Sequence, residues 1–76
     1  MKFKRGDLLK YIKFPRNYRR VKEITSVGGM RGYRVVGVDK NNFKKESKES
    51  MFFSKLYMET NYILIKRVNK KVRRIE

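Results

Sequence analysis

Arg16-Asn17-Tyr18-Arg19-Arg20 places three guanidinium groups and one phenol within five residues. Arginine forks donate paired hydrogen bonds to phosphate or carboxylate oxygens, and a tyrosine ring stacks on a sugar or base. The same five residues also suit a solvated turn whose tyrosine covers the end of a core. Lys70-Lys71-Val72-Arg73-Arg74 is a second basic cluster, readable as an arm that lies in a groove or as a solubilising tail. Gly28-Gly29-Met30-Arg31-Gly32 would let a backbone approach phosphates closely, but it carries no nucleotide-binding pattern. It reads as a hairpin turn, from which Arg31 and Arg34 project toward the same ligand.

Catalytic chemistry finds little to work with. The chain has no His and no Cys, which leaves carboxylate, Lys or Tyr as the only general bases. Glu46 and Glu49 fall together, yet in a Lys- and Ser-rich stretch that reads as exposed, where neither would be tuned for proton transfer. Asp7 is accounted for by a turn that opens the first strand. No spacing matches a metal site. The expectation is a protein that is not an enzyme and uses no cofactor.

The charge is more informative. Twenty-two Lys and Arg oppose seven Asp and Glu, for a net charge of +15 on 76 residues. The first twenty residues carry +7 and the last eleven +5, so the forty-five between hold only +3. Such a chain repels itself and calls for a polyanionic partner, nucleic acid being the commonest. Absence of Cys fits a reducing cytoplasm. No apolar run approaches the ~18–20 residues of a membrane span, and no apolar stretch follows the basic start as in a secretory signal. Aromatic residues at 13% supply a small core that disordered chains lack. The chain has no Ala, and its abundance of Lys, Asn and Ile suggests AT-rich coding sequence, as in a phage or an AT-rich bacterium.

Short apolar runs divided by turn chemistry predict strands over Leu8–Phe14, Tyr18–Thr25, Tyr33–Val38, Met51–Phe53 and Asn61–Val68. Val21 and Ile24 are three apart, which predicts a bulge or a change of face. Turns are expected at 15–17, 28–32 and 39–42. Phe43–Ser50 reads either as an extended hairpin or as a loop. Ser54 is placed to cap a helical turn before the last strand. In that strand Tyr62, Leu64 and Lys66 would share one face, and Ile63, Ile65 and Arg67 the other. Phe3, Tyr11, Tyr33, Phe53 and Tyr62 are expected inside, and Tyr18, Phe43 and Tyr57 outside. Residues 1–68 form one domain, followed by a basic tail at 69–76.

Phe3-Lys4-Arg5-Gly6-Asp7-Leu8-Leu9 resembles the opening of SH3-like, KOW-like and Tudor-like domains, in which a Gly-Asp pair turns the chain into strand one. Phe53-Ser54-Lys55-Leu56-Tyr57 through Tyr62-Ile63-Leu64 is similar to their step from a helical turn to the last strand. The resemblance implies an all-β fold: a five-stranded SH3-like small barrel with one helical turn before the last strand. The acidic loop and tryptophan of peptide-binding SH3 domains are missing. Small basic members of this group occur among phage early proteins and factors that handle DNA or RNA. First and last strands pair in such folds, which would set Lys10 and Lys13 near Lys66 and Arg67. The tail would lie beside Lys2, Lys4 and Arg5.

The expected nucleic-acid-binding set is therefore Lys2, Lys4, Arg5, Lys10, Lys13, Arg16, Tyr18, Arg19, Arg20, Arg31, Arg34, Lys66, Arg67, Lys70, Lys71, Arg73 and Arg74. Duplex DNA is the favoured ligand and RNA the next, bound by a monomer or weak dimer through phosphates with little sequence preference. The alternative is a phage-encoded inhibitor that docks on an acidic surface of a host protein such as a polymerase or nuclease. A ribosome-associated protein would need no more than the charge.

Overall fold

The computed structural model describes residues 1–14 and 17–67. It contains β1 (Leu8–Tyr11), β2 (Tyr18–Val27), β3 (Met30–Asp39), β4 (Asn42–Ser54), helix α1 (Lys55–Asn61) and β5 (Tyr62–Lys66). All five strands run antiparallel in one sheet of order β4-β3-β2-β1-β5. The all-β expectation with one helical segment before the last strand holds. No ladder joins β4 to β5 among the described residues, so these strands make an open sheet and not a hydrogen-bonded barrel.

Two short connections fix the register of the middle strands. Gly28 and Gly29 adopt φ of 59° and 81°, the left-handed pair that a two-residue hairpin turn requires. Val27 therefore pairs with Met30, and the turn is shorter than the 28–32 expected because Met30, Arg31 and Gly32 already belong to β3. Between β3 and β4, the Asp39 side chain accepts from the Asn41 N–H at 2.8 Å. Phe43–Ser50 resolves as strand, part of the 13-residue β4.

Bulges then decide which side chains turn inward. Val21 faces Val35 but Glu23 faces Arg34, so Lys22 is the extra residue. That insertion lets Val21 and Ile24, three apart, both reach the core, as their spacing predicted. A second bulge opposes Leu8 to Lys66 and Leu9 to Leu64, with Ile65 between. Lys66 thereby shares a face with Leu8, and Leu64 with Leu9. Simple alternation along β5 had placed Leu64 and Lys66 together.

β1 stops at Tyr11, short of the expected Phe14. The Tyr11 N–H bonds the Asn17 carbonyl and the Asn17 N–H bonds the Phe14 carbonyl, which folds Ile12–Phe14 into the connection to β2.

The core consists of Phe3, Leu9, Val21, Tyr33, Val35, Met58 and Tyr62, with Tyr11, Ile24 and Phe53 packed against it. Ser54 caps α1 by accepting from the Tyr57 N–H, and the helix contributes Met58 to this core. The helix also anchors the start of the chain. The Tyr33 hydroxyl donates to Glu59 Oε2 at 2.6 Å and accepts from the Phe3 N–H at 3.1 Å. Glu59 accepts further from the Lys2 N–H and pairs with Lys55. Desolvation pushes the Glu59 carboxyl up, but the donors from Tyr33, Lys2 and Lys55 outweigh it and hold it down at about 2. Burial, then the bond to Glu59, raises the Tyr33 phenol to about 12.

Two outcomes follow for stability. A Cβ at Gly32 would meet the Phe53 carbonyl oxygen and come within 2.9 Å of Ser54 Cα, both backbone. Gly32→Ala should cost ~3 kcal/mol, a loss in thermal midpoint of more than ~10 °C; an unchanged midpoint would contradict the packing. Glu59 is the pH-dependent tie. Its folded value lies below the unfolded 4.5, so its contribution is complete above 4.5 and disappears as pH falls toward about 2. Urea unfolding should show Glu59→Gln about 1 kcal/mol less stable at pH 7, with the gap narrowing through that window.

Candidate nucleic-acid interface

The two basic ends of the described chain meet at Asp7. Gly6, at φ 94°, and Asp7 form the predicted opening turn, with the Asp7 N–H bonded to the Lys4 carbonyl at 3.0 Å. The Asp7 carboxylate is fully buried. One of its oxygens accepts from the Lys4 N–H at 2.8 Å. Arg67, one residue beyond β5, donates Nε and Nη2 to the two carboxylate oxygens at 3.1 and 3.0 Å. Its Nη2 also reaches the Lys2 carbonyl at 3.4 Å. The bond to Asp7 holds the Arg67 guanidinium above its ordinary pKa range.

Lys2, Lys4 and Arg5 are exposed around this clamp, and exposed Lys66 pairs with Leu8 on the ladder beside it. Lys10 follows, half-buried and opposite Ile63. Lys13 lies past the other end of the ladder, where Tyr11 meets Tyr62. The antiparallel pairing thus separates Lys13 from Lys66 and Arg67, because the two strands run away from that point in opposite directions.

The arginines nominated from sequence divide into two kinds. Arg20 has an internal role: Nη1 donates to the Gly6 carbonyl at 2.8 Å, Nη2 to the Phe43 carbonyl at 3.1 Å, and Nε pairs with Glu46 at 2.9 Å. Arg34 pairs with Glu23, and Arg67 with Asp7. Arg19 points to the opposite face from Arg20 and donates to the Tyr62 hydroxyl at 3.5 Å, with no carboxylate partner among the described residues. Arg31 is exposed but faces Ser26, six residues beyond Arg20 on β2, about 20 Å of strand away. It does not join the group around β1 and β5. Arg16, Lys70, Lys71, Arg73 and Arg74 lie outside the described residues, as does the expected contact between the tail and Lys2, Lys4 and Arg5.

Tyr18 packs on Phe43 with ring centroids 5.2 Å apart, beside Lys10 in the next strand. The sequence predicts both rings exposed; Phe43 is, but Tyr18 is half-buried beneath it. Glu46 departs from its expected exposure because the irregular pairing of β4 sets it opposite Val38, within reach of both Arg20 and Lys22. A shallow groove of about 340 Å³ opens at this irregularity between Gly37–Asp39 and Lys45–Ser47. Among the described residues no cluster of acids could hold a metal ion, and no helix is long and apolar enough to cross a membrane. No family model, curated protein or solved structure matches the chain.

Sequence reasoning missed the four ion pairs that join different elements, since their members lie 11 to 60 residues apart. Separate roles can be told apart by stability. Arg20→Ala should cost ~1–2 kcal/mol in urea unfolding, because it removes the donors to the Gly6 and Phe43 carbonyls and one of the two cations that hold half-buried Glu46. Lys4→Ala, Arg5→Ala and Lys66→Ala should each stay within ~0.5 kcal/mol of the unaltered protein. An equal cost for both sets would show that the exposed cations are structural too.

Proposed function

We propose that this protein is a non-enzymatic nucleic-acid-binding accessory factor that grips the phosphate backbone with little sequence preference, duplex DNA first and RNA next. One observation carries the reading. Seventeen Lys and Arg fall among the described residues; five of them form ion pairs and twelve do not. Asp7, Glu23, Glu46 and Glu59 are taken up in those five pairs, so the remaining cations have few internal counter-charges. Phosphates supply what the fold withholds.

The strand order supports the SH3-like reading of the fold. A meander of four strands, a helical segment and a fifth strand returned to pair with the first is the sequence of elements such domains use. A bacterial cytoplasm, with a phage as the source, is consistent with the absence of Cys and the residue composition. Neither contributes to the binding reading itself.

Lys2, Lys4, Arg5, Lys10 and Lys66 can meet phosphates together near β1 and β5, and five such contacts predict a log–log slope of about −4.5 for duplex DNA. Affinity for a duplex should fall ~10³-fold between ~50 and ~200 mM salt in fluorescence anisotropy. A flat response sinks the reading. So does stoichiometric retention of a single acidic host protein that survives nuclease treatment, which would favour the inhibitor alternative.

A further inference from the structure

Five aromatic rings that are scattered in the chain form one row in the fold. Phe14 and Tyr11 are 5.6 Å apart, Tyr11 and Tyr62 5.1 Å, Tyr62 and Tyr57 6.5 Å, and Tyr57 and Phe53 5.0 Å. The row runs from the connection after β1, across β5, onto α1 and the end of β4. Tyr62 is its buried base. Tyr11 and Phe53 are half-buried, and Phe14 and Tyr57 stand out at 61% and 38% exposure. Core packing accounts for Tyr62, but it leaves the outer faces of Phe14 and Tyr57 in water.

The surroundings of the row are cationic. Arg19 is tethered to the Tyr62 hydroxyl. The neighbouring Tyr11 hydroxyl and burial raise the Tyr57 phenol above its ordinary range, while Lys13 and Arg19 act on it in the opposite sense. Both cations thus stand within electrostatic reach of Tyr57, and neither pairs with a carboxylate among the described residues. Glu59, the acid on the same helix, is turned away to Tyr33, Lys2 and Lys55.

Exposed rings between unpaired cations match the two halves of an unpaired nucleotide, a flat base and a phosphate. We infer that the row from Phe14 to Phe53 is a stacking platform for unpaired bases, with Lys13 and Arg19 receiving the adjoining phosphates. The inference rests on the nucleic-acid reading above and adds the form of ligand: a single-stranded stretch, alone or beside a duplex. Within a duplex the base faces are stacked on one another and closed to these rings, so a blunt duplex engages only the cations. Stacking accepts any base, which agrees with contact through phosphates and little sequence preference.

The test uses fluorescence anisotropy with two probes, an oligo-dT of ~15 nucleotides and a blunt duplex of equal length, within the site sizes small domains cover. Phe14→Ala and Tyr57→Ala, singly and together, should weaken oligo-dT binding by at least ~5-fold per ring, while duplex binding changes less than ~2-fold. Tyr57→Phe, which keeps the ring, should bind as the unaltered protein does. Oligo-dT should also quench the tyrosine fluorescence of the unaltered protein more than the duplex does, a readout that needs no variant. Equal losses on both probes, no loss on either, no preferential quenching, or capture of a proline-rich peptide in place of oligo-dT overturns the platform. If neither probe binds in a salt-dependent way, the phosphate reading itself fails; if both bind but the rings are indifferent, only the platform does.

Discussion

A fully buried carboxylate in a chain of charge +15 is the constraint on which much of this structure turns. Burying an ionised group is costly unless donors replace its water. Asp7 receives them from the Lys4 N–H and from both edges of the Arg67 fork. Those donors come from the turn that starts β1 and from the residue that follows β5. Solvating one carboxylate therefore requires the chain's opening hook and its last described strand to meet. Arg20 repeats the device on the other side of the turn, linking the Gly6 carbonyl to β4 through Phe43 and Glu46.

This arrangement sorts the charges. Acids are few, and four of the six described take part in ties between elements: Asp7 to β5, Glu23 between β2 and β3, Glu46 between β2 and β4, and Glu59 from α1 to the N-terminal segment. Each tie also removes one or two cations from the surface pool. What remains exposed is almost purely positive. Structure and surface charge are thus two results of one allocation, in which a scarce anion is placed where it joins elements and the surplus cations face outward.

The sequence was most legible where local chemistry decides. Two adjacent glycines announce a left-handed hairpin turn, Ser54 announces a helix start, and the three-residue step from Val21 to Ile24 announces a bulge. It was least legible where a remote strand decides. The bulge at Ile65 comes from matching β5 to Leu8 and Leu9, and nothing in Tyr62–Lys66 itself reveals it. The polar run from Phe43 to Ser50 has no apolar period to mark it as strand; it is held by pairing with β3 along an edge whose lysines suit exposure. Of the candidate site, residue type pointed to the cations as a class. Type alone could not tell Arg20 or Arg34, which have internal partners, from Lys4 or Arg5, whose side chains have none among the described residues. The aromatic row was hidden for the same reason, since Tyr11 and Tyr62 become neighbours only through β1–β5 pairing.

That pairing has a further consequence for the order in which the molecule is built. β2, β3 and β4 are joined by two-residue turns and can zip locally, whereas setting Leu8 opposite Lys66 closes a loop of nearly the whole described chain. Closure entropy grows with the logarithm of loop length and is met before distant contacts reward it. The short, four-residue β1 gains little ladder in return. The surface that gathers Lys2, Lys4, Arg5, Lys10 and Lys66 thus coincides with the seam that joins the residues farthest apart in the described chain. A polyanion lying across it would touch both sides at once, and so would act as a staple that completes folding as it binds.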